Sequence, residues 1–312
     1  MKKIISIILC SVIMILLFTS CFSNKPSQTS SVIEEVSSID PNVMPQFDKG
    51  SLRLNGSTAC IPLAAALLAA SNGISVEEAT ESINFSGTSN AIYDLCNGFS
   101  NLVLTYESTD IDSGKAPTEK YAISRDALVF IVNSANKVEG ITTEQARDIY
   151  AGKITNWSKL GGTKTTIAAF QRPTNSGSGV MMEKLVMKGT ALAKPPEKYK
   201  ETYIAEGMDG IVKMVIDGSA EYGNEKNGIG YSVYYYIHNM YSVPEIKVLA
   251  IDGVAPSNAT IASGEYPLTN EIYAVIRADE PQDSPIRQLV SWLQGAEGKS
   301  LIEKAGYVKL DK

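Results

Sequence analysis

Beyond residue 50 the chain alternates between short unbroken apolar runs and longer stretches whose apolar residues recur every three or four positions. The first pattern fits strands buried on both faces, and the second fits helices with one buried stripe. "SLRLNG" predicts a strand, and "STACIPLAAALLAASNG" predicts a helix with Pro62 near its first turn and an end at Gly73. "EEATESINFSG" predicts a short strand, "SNAIYDLCNGFS" a helix, and "NLVLTYES" and "ALVFIVN" two further strands. In "TTEQARDIYAGK" Thr142 and Gln145 have the spacing of a capping box, with Gly152 just past the predicted helix end.

"TTIAAF" predicts a strand leading into a helix that runs to Met187, and "MDGIVKMVIDG" predicts another helix. "NGIGYSVYYYI" and "YPLTNEIYAVIR" read as strands, and "SPIRQLVSWLQGAEGKSLIEKAG" as one amphipathic helix burying Ile286, Leu289, Val290, Trp292 and Leu293. Strand and helix signals that alternate in this way predict an α/β fold rather than a sandwich or a bundle.

The N-terminus breaks the pattern. Lys2 and Lys3 precede an apolar run from Ile4 to Phe18, followed by Thr19, Ser20 and Cys21. That order predicts a signal peptide over residues 1–20, and the run is short for a membrane-spanning helix. Small residues followed by Cys21 resemble a lipobox, so Cys21 is expected to carry lipid such as palmitate, although Phe18 stands where Leu is usual. Residues 21–49 are rich in serine with little apolar periodicity and are expected to form a flexible tether.

With 44% hydrophobic and 20% charged residues, the 312-residue chain has ample material for a folded core. Removal of residues 1–20 leaves 26 basic against 34 acidic residues, a net of −8. No basic surplus is available to displace counterions, so nucleic acid is not an expected partner. Cys60 and Cys96 are the cysteines left for the folded part; a disulfide and two buried thiols are both compatible with their helical, apolar neighbourhoods. The single histidine, His238, and the absence of Cys/His clusters predict no structural metal.

The stretch "FQRPTNSGSGVMMEKLVM" raises two chemical readings. A serine nucleophile at Ser178 would need a glycine two residues earlier, but Ser176 stands there, and His238 is the sole possible imidazole base. Anion capture is the other reading: amides of Ser176, Gly177 and Ser178 at a helix start, with Arg172 four residues before it. The plainer alternative is that Ser176 only caps the helix while Arg172 faces water. Two similar turns, Gly56-Ser57-Thr58 and Ser86-Gly87-Thr88-Ser89, also place glycine and hydroxyls between a strand and a helix. Three such turns would converge if they lay at the carboxyl ends of parallel strands, where ligands of open α/β sheets bind.

The stretch from Tyr121 to Gly162, with "GSTACIPL", "QRPTNSGSG", "NGIGYSVYYY" and "GKSLIEKAGYVKL", resembles the phosphate-binding proteins of bacterial phosphate ABC transporters over about Ser51 to Leu310. The resemblance implies a two-lobed, type II periplasmic-binding-protein-like α/β fold, each lobe a sheet flanked by helices, with the ligand cleft between. It implies one lobe of residues 50–128 plus 252–312 and another of 129–251. Phosphate ligands carried over from the resemblance are Ser57, Thr58, Thr88 or alternatively Ser89, Arg172, Ser176, Gly177 and Ser178. The family's aspartate corresponds to Glu107, one methylene longer, which would accept the proton phosphate retains and sulfate lacks. Thr174 departs from an acid common near that point, and Cys60 and Ile61 depart in the first loop.

The implied role is that of a lipid-anchored, monomeric, non-enzymatic binding protein without a cofactor, on the outer face of the cytoplasmic membrane. It would deliver phosphate to an ABC permease. Another tetrahedral oxyanion, sulfate or molybdate, and a surface sensing protein that kept the fold are the alternative readings.

Overall fold

The computed structural model describes residues 44–48, 50–106, 116–195, 203–205, 207–217 and 226–310. The expected signal peptide, Cys21, most of the expected tether and Glu107 lie outside them. The tether expectation runs too far: Met44 is buried in the core and Phe47 packs against it, because both offer apolar surface that the core can cover.

The first strand, β1 (Leu54–Gly56), leads through a 3-10 turn (Thr58–Cys60) into α1 (Ile61–Asn72). Leu63 to Leu67 are consecutively buried, so α1 is covered nearly all round, and Gly73 ends it in the left-handed conformation at φ 63°. Where a short strand was expected, α2 (Val76–Ser82) forms instead. The Ser75 hydroxyl accepts from Glu78 N, and Glu77 and Glu78 sit at the positive end of the helix, so local capping outweighs strand propensity. Next come α3 (Thr88–Cys96), the fully buried β2 (Leu102–Thr105) and the long β3 (Thr118–Asn133).

After β4 (Gly140–Ile141), α4 (Thr143–Tyr150) begins with the predicted capping box: Thr142 Oγ1 accepts from Gln145 N, and Gln145 Oε1 accepts from Thr142 N. A short β5 (Ala168–Ala169) precedes α5 (Gly177–Met181), which continues as a π-helical turn over Met182–Met187. The helix α6 (Met208–Asp217) follows, then β6 (Gly228–Val233). β6 stops short of its predicted length, since Tyr234 onward turns helical and the π-helical segment Tyr236–Met240 follows. His238 is exposed there and stacks on Tyr234 with ring centroids 5.0 Å apart.

The remaining strands are β7 (Ile246–Val248), β8 (Ala250–Ile251), β9 (Thr269–Arg277) and β10 (Val308–Lys309). The C-terminal helix predicted as one is two, α7 (Pro285–Gln294) and α8 (Ala296–Lys304), broken at Gly295, whose N–H donates to Trp292 O. Ile286, Leu289, Val290 and Leu293 are buried as expected, with Trp292 half-buried at the edge of the core.

The sheet order is β1-β2-β9-β3-β6-β5, and β3 carries both halves of it. Thr118 to Ala127 pair with β9, whereas Leu128 to Val132 pair with β6. One half gathers β1, β2, β9 and β10 and the other gathers β5, β6 and β7, so the 16-residue β3 runs through both lobes. Cys60 and Cys96 are unpaired buried thiols, and burial pushes the Cys60 thiol well up.

Candidate functional site

Three helix starts face one cavity of about 240 Å³. The first follows β1. Gly56 is required there because a Cβ would lie 2.0 Å from Leu104 O, so only glycine lets β1 approach β2 closely enough for Ser57 N to donate to Leu104 O at 2.9 Å. Ser57 is buried, and its side chain does not cap the 3-10 turn that starts at Thr58; Thr58 is exposed and its hydroxyl donates to Met208 Sδ at 3.4 Å.

The second start is that of α3, whose N-cap is Gly87 and which has no side-chain cap. Ala91 N donates to Gly87 O, so the amides of Thr88, Ser89 and Asn90 form the open first turn. Thr88 is buried, with Oγ1 3.4 Å from Thr105 Oγ1.

The third start, from the other lobe, belongs to α5. Ser176 Oγ accepts from Gly179 N at 3.1 Å and donates to Pro173 O at 2.7 Å, so the Ser176 hydroxyl is committed to the cap. Val180 N donates to Ser176 O, which leaves the amides of Gly177 and Ser178 as the first-turn donors beside the cavity.

Arg172 supplies the cation. It is 6% exposed, its Nε lies 3.4 Å from Ser178 Oγ, and one terminal nitrogen donates to Ala205 O. Its backbone N–H donates to the Tyr231 hydroxyl at 3.0 Å, and burial pushes that hydroxyl up to about 12, so it stays protonated. A buried guanidinium among helix amides and hydroxyls can do one thing well: hold a small oxyanion by many charge-assisted hydrogen bonds.

The lobes meet at the site. A methyl group on Gly177 would lie 3.1 Å from Ser57 Oγ, 3.4 Å from Tyr106 Cδ2 and 3.6 Å from Thr88 Oγ1. Ser57, Thr58, Thr88, Arg172, Ser176, Gly177 and Ser178 all line the one cavity, and so does Ser89. Glu107, outside the described residues, follows Tyr106 at the end of β2. Arg172 is buried rather than water-facing, and the turn that Ser176 caps is the one whose Gly177 and Ser178 line the cavity.

Sequence reasoning missed the apolar wall of Phe85, Met208 and Val233, and behind the cavity it missed Asn55, which hydrogen-bonds to Gly56, Ser86 and Asp94. Asn55 carried a usable signal: a strand-depleted amide residue immediately before the glycine of the first turn. Asp126 was missed as well. This fully buried carboxylate on β3 accepts from Tyr106 Oη at 2.8 Å, Ala127 N at 2.7 Å and Tyr235 N at 3.1 Å; burial pushes it up to about 6 against the effect of these donors.

Residues 44–297 match the family model described as the PBP superfamily domain. The phosphate-binding protein PstS of Bacillus subtilis (strain 168) is 26% identical over 266 residues, covering 83% of this chain and 80% of that protein. PstS of Borreliella burgdorferi is 23% identical over 274 residues, covering 86% and 92%. Among solved structures, a Clostridium perfringens substrate-binding protein with bound phosphate superimposes with a TM-score of 0.66 at 23% identity, covering 83% of this chain and 99% of that one. An ABC-type phosphate transport receptor from Vibrio cholerae gives 0.58 at 21% identity, covering 83% and 99%. At these identities the structural matches speak for the fold.

Proposed function

The chain belongs to the PBP superfamily domain family, and from that premise we propose that it is an extracytoplasmic solute-binding protein that captures inorganic phosphate and hands it to an ABC permease. The observation that carries this reading is the meeting of Arg172 with three helix starts from two lobes in one cavity. Relatives named phosphate-binding protein PstS support phosphate as the anion.

In this reading Ser57, Thr58, Thr88, Arg172, Gly177 and Ser178 donate to phosphate oxygens, and Ser176 holds the third turn in shape. Glu107 is the single acceptor, taking the proton that phosphate keeps near neutral pH. Binding replaces the anion's hydration with fixed donors, makes no covalent bond, and draws residues 50–128 with 252–312 against residues 129–251. A lipid on Cys21 would hold the monomer to the outer face of the cytoplasmic membrane.

Calorimetric titration of the purified protein with phosphate, sulfate and molybdate tests the reading. Phosphate should bind, sulfate should not, and Arg172→Ala should abolish the heat. Sulfate binding as tightly as phosphate would remove the role given to Glu107, and no phosphate binding at all would end the proposal.

A further inference from the structure

Asn55, the middle residue of β1, is 7% exposed and has every hydrogen-bonding position of its side chain filled. Its Oδ1 accepts from Gly56 N at 2.8 Å and from Ser86 N at 2.9 Å. Its Nδ2 donates to Ser86 Oγ at 2.9 Å and to Asp94 Oδ2 at 2.7 Å. Ser86 Oγ donates in turn to the same Asp94 oxygen at 3.2 Å, and Asn90 Nδ2 donates to Ser86 O at 3.1 Å.

These bonds run between the first anion-facing turn and the second. Gly56 precedes Ser57 and Thr58, Ser86 precedes Gly87 and Thr88, and Asp94 lies further along α3, the helix whose open first turn faces the cavity. One side chain therefore fixes how far apart the two uncapped helix starts stand. It also occupies the Gly56 and Ser86 amides and takes the Ser86 hydroxyl as a partner of its Nδ2. The Asp94 carboxylate is absorbed by donors at its Oδ2, which keeps an acidic group in the same neighbourhood from acting as an unpaired charge.

We propose that Asn55 is the positioning residue of the anion site, setting the spacing of the two helix starts through Ser86 and Asp94. The inference rests on the phosphate reading above. Asn55 itself need not touch the anion. The amide is required because the position needs two acceptor directions toward backbone N–H groups and two donors toward a hydroxyl and a carboxylate. No other side chain of this size offers that combination.

Substitution Asn55→Asp keeps the shape and the acceptor toward Gly56 N and Ser86 N, but it sets a second carboxylate against Asp94. Adding Asp94→Asn restores a donor facing an acceptor, with the two roles exchanged. Titration of the full chain with inorganic phosphate should give an Asn55→Asp affinity lower by about tenfold or more, the range of one buried charged hydrogen bond. The Asn55→Asp/Asp94→Asn double variant should return to within about threefold of wild type.

Hydrogen exchange supplies a readout that a purely structural role would not move. Phosphate should slow exchange of the 86–90 amides in wild type and in the double variant, but much less in Asn55→Asp. An Asn55→Asp protein that binds phosphate as wild type does, or a double variant as weak as Asn55→Asp, overturns the proposal. If wild type itself binds no phosphate, the reading beneath it has failed, and that result is visible before any variant is measured.

Discussion

Gly177 stands against Ser57 across the cleft so closely that a single added methyl would sit 3.1 Å from the Ser57 hydroxyl oxygen, with Tyr106 Cδ2 at 3.4 Å. Gly177→Ala is therefore expected to push the two lobes apart at the cavity proposed to enclose the anion. Overpacking of this kind costs about 1–3 kcal/mol, which corresponds to roughly five- to 150-fold in affinity. Calorimetry with phosphate, paired with small-angle scattering with and without phosphate, checks it. An unchanged affinity would mean that the crowded geometry is not the liganded one.

Arg172 works through geometry as well as charge. Its Nε and a terminal nitrogen already point in fixed directions, toward Ser178 Oγ and Ala205 O. A lysine would keep the positive charge but lose the planar fork. Arg172→Lys is expected to weaken phosphate binding by about 1.5–3 kcal/mol, the range of a hydrogen bond to a charged group. Affinity within twofold of wild type would reduce Arg172 to a point charge.

Tyr231 lies behind that arginine, buried, with its hydroxyl accepting from Arg172 N at 3.0 Å. Tyr231→Phe takes away the acceptor without changing the ring, which packs edge-on against Tyr150 at 5.3 Å. Loss of about 1–3 kcal/mol of stability follows from removing one partner of a buried pair. Chemical denaturation, read with and without phosphate, measures it. Equal losses in both conditions would confine Tyr231 to the core, and a larger loss with phosphate would tie it to the orientation of Arg172.

The elements whose ends are marked by residue chemistry were legible in the sequence. The capping box at Thr142 and the Gly73 terminus are local, and so is the glycine-hydroxyl signature of the three turns. Their convergence followed from α/β layering together with the family resemblance. What escaped was set by tertiary contact. Asp126 belongs to no motif and Asn55 only borders one; Asn55 matters because Ser86 and Asp94 come to it, and Asp126 because Tyr106 and Tyr235 do. The helix at Val76–Ser82 was missed for the opposite reason. Its Ser75 cap and two glutamates are local helix signals that stand at the start of the same stretch that predicts a strand.

Asp126 carries the pH prediction. Its surroundings are phenols, a thiol and backbone amides: Tyr106, Tyr235, Tyr307 and Cys60 lie near it. Burial pushes the carboxyl up to about 6, from an unfolded-chain value near 3.8. Between those two values the folded protein binds more protons than the unfolded chain, so stability contributed by this group is fully present below about 3.8 and is lost as pH rises through about 6. A shift of this size corresponds to roughly 3 kcal/mol. In Asp126→Asn the amide oxygen can still accept from Ala127 N and Tyr235 N, while the amide nitrogen donates to the Tyr106 hydroxyl, and nothing titrates. The melting temperature of Asp126→Asn relative to wild type should therefore climb as pH is raised from 4 to 7, with the variant the more stable protein at neutral pH. A difference that stays flat across that range would mean that the carboxyl is already ionised in the folded protein at pH 4. Its three donors would then outweigh its burial.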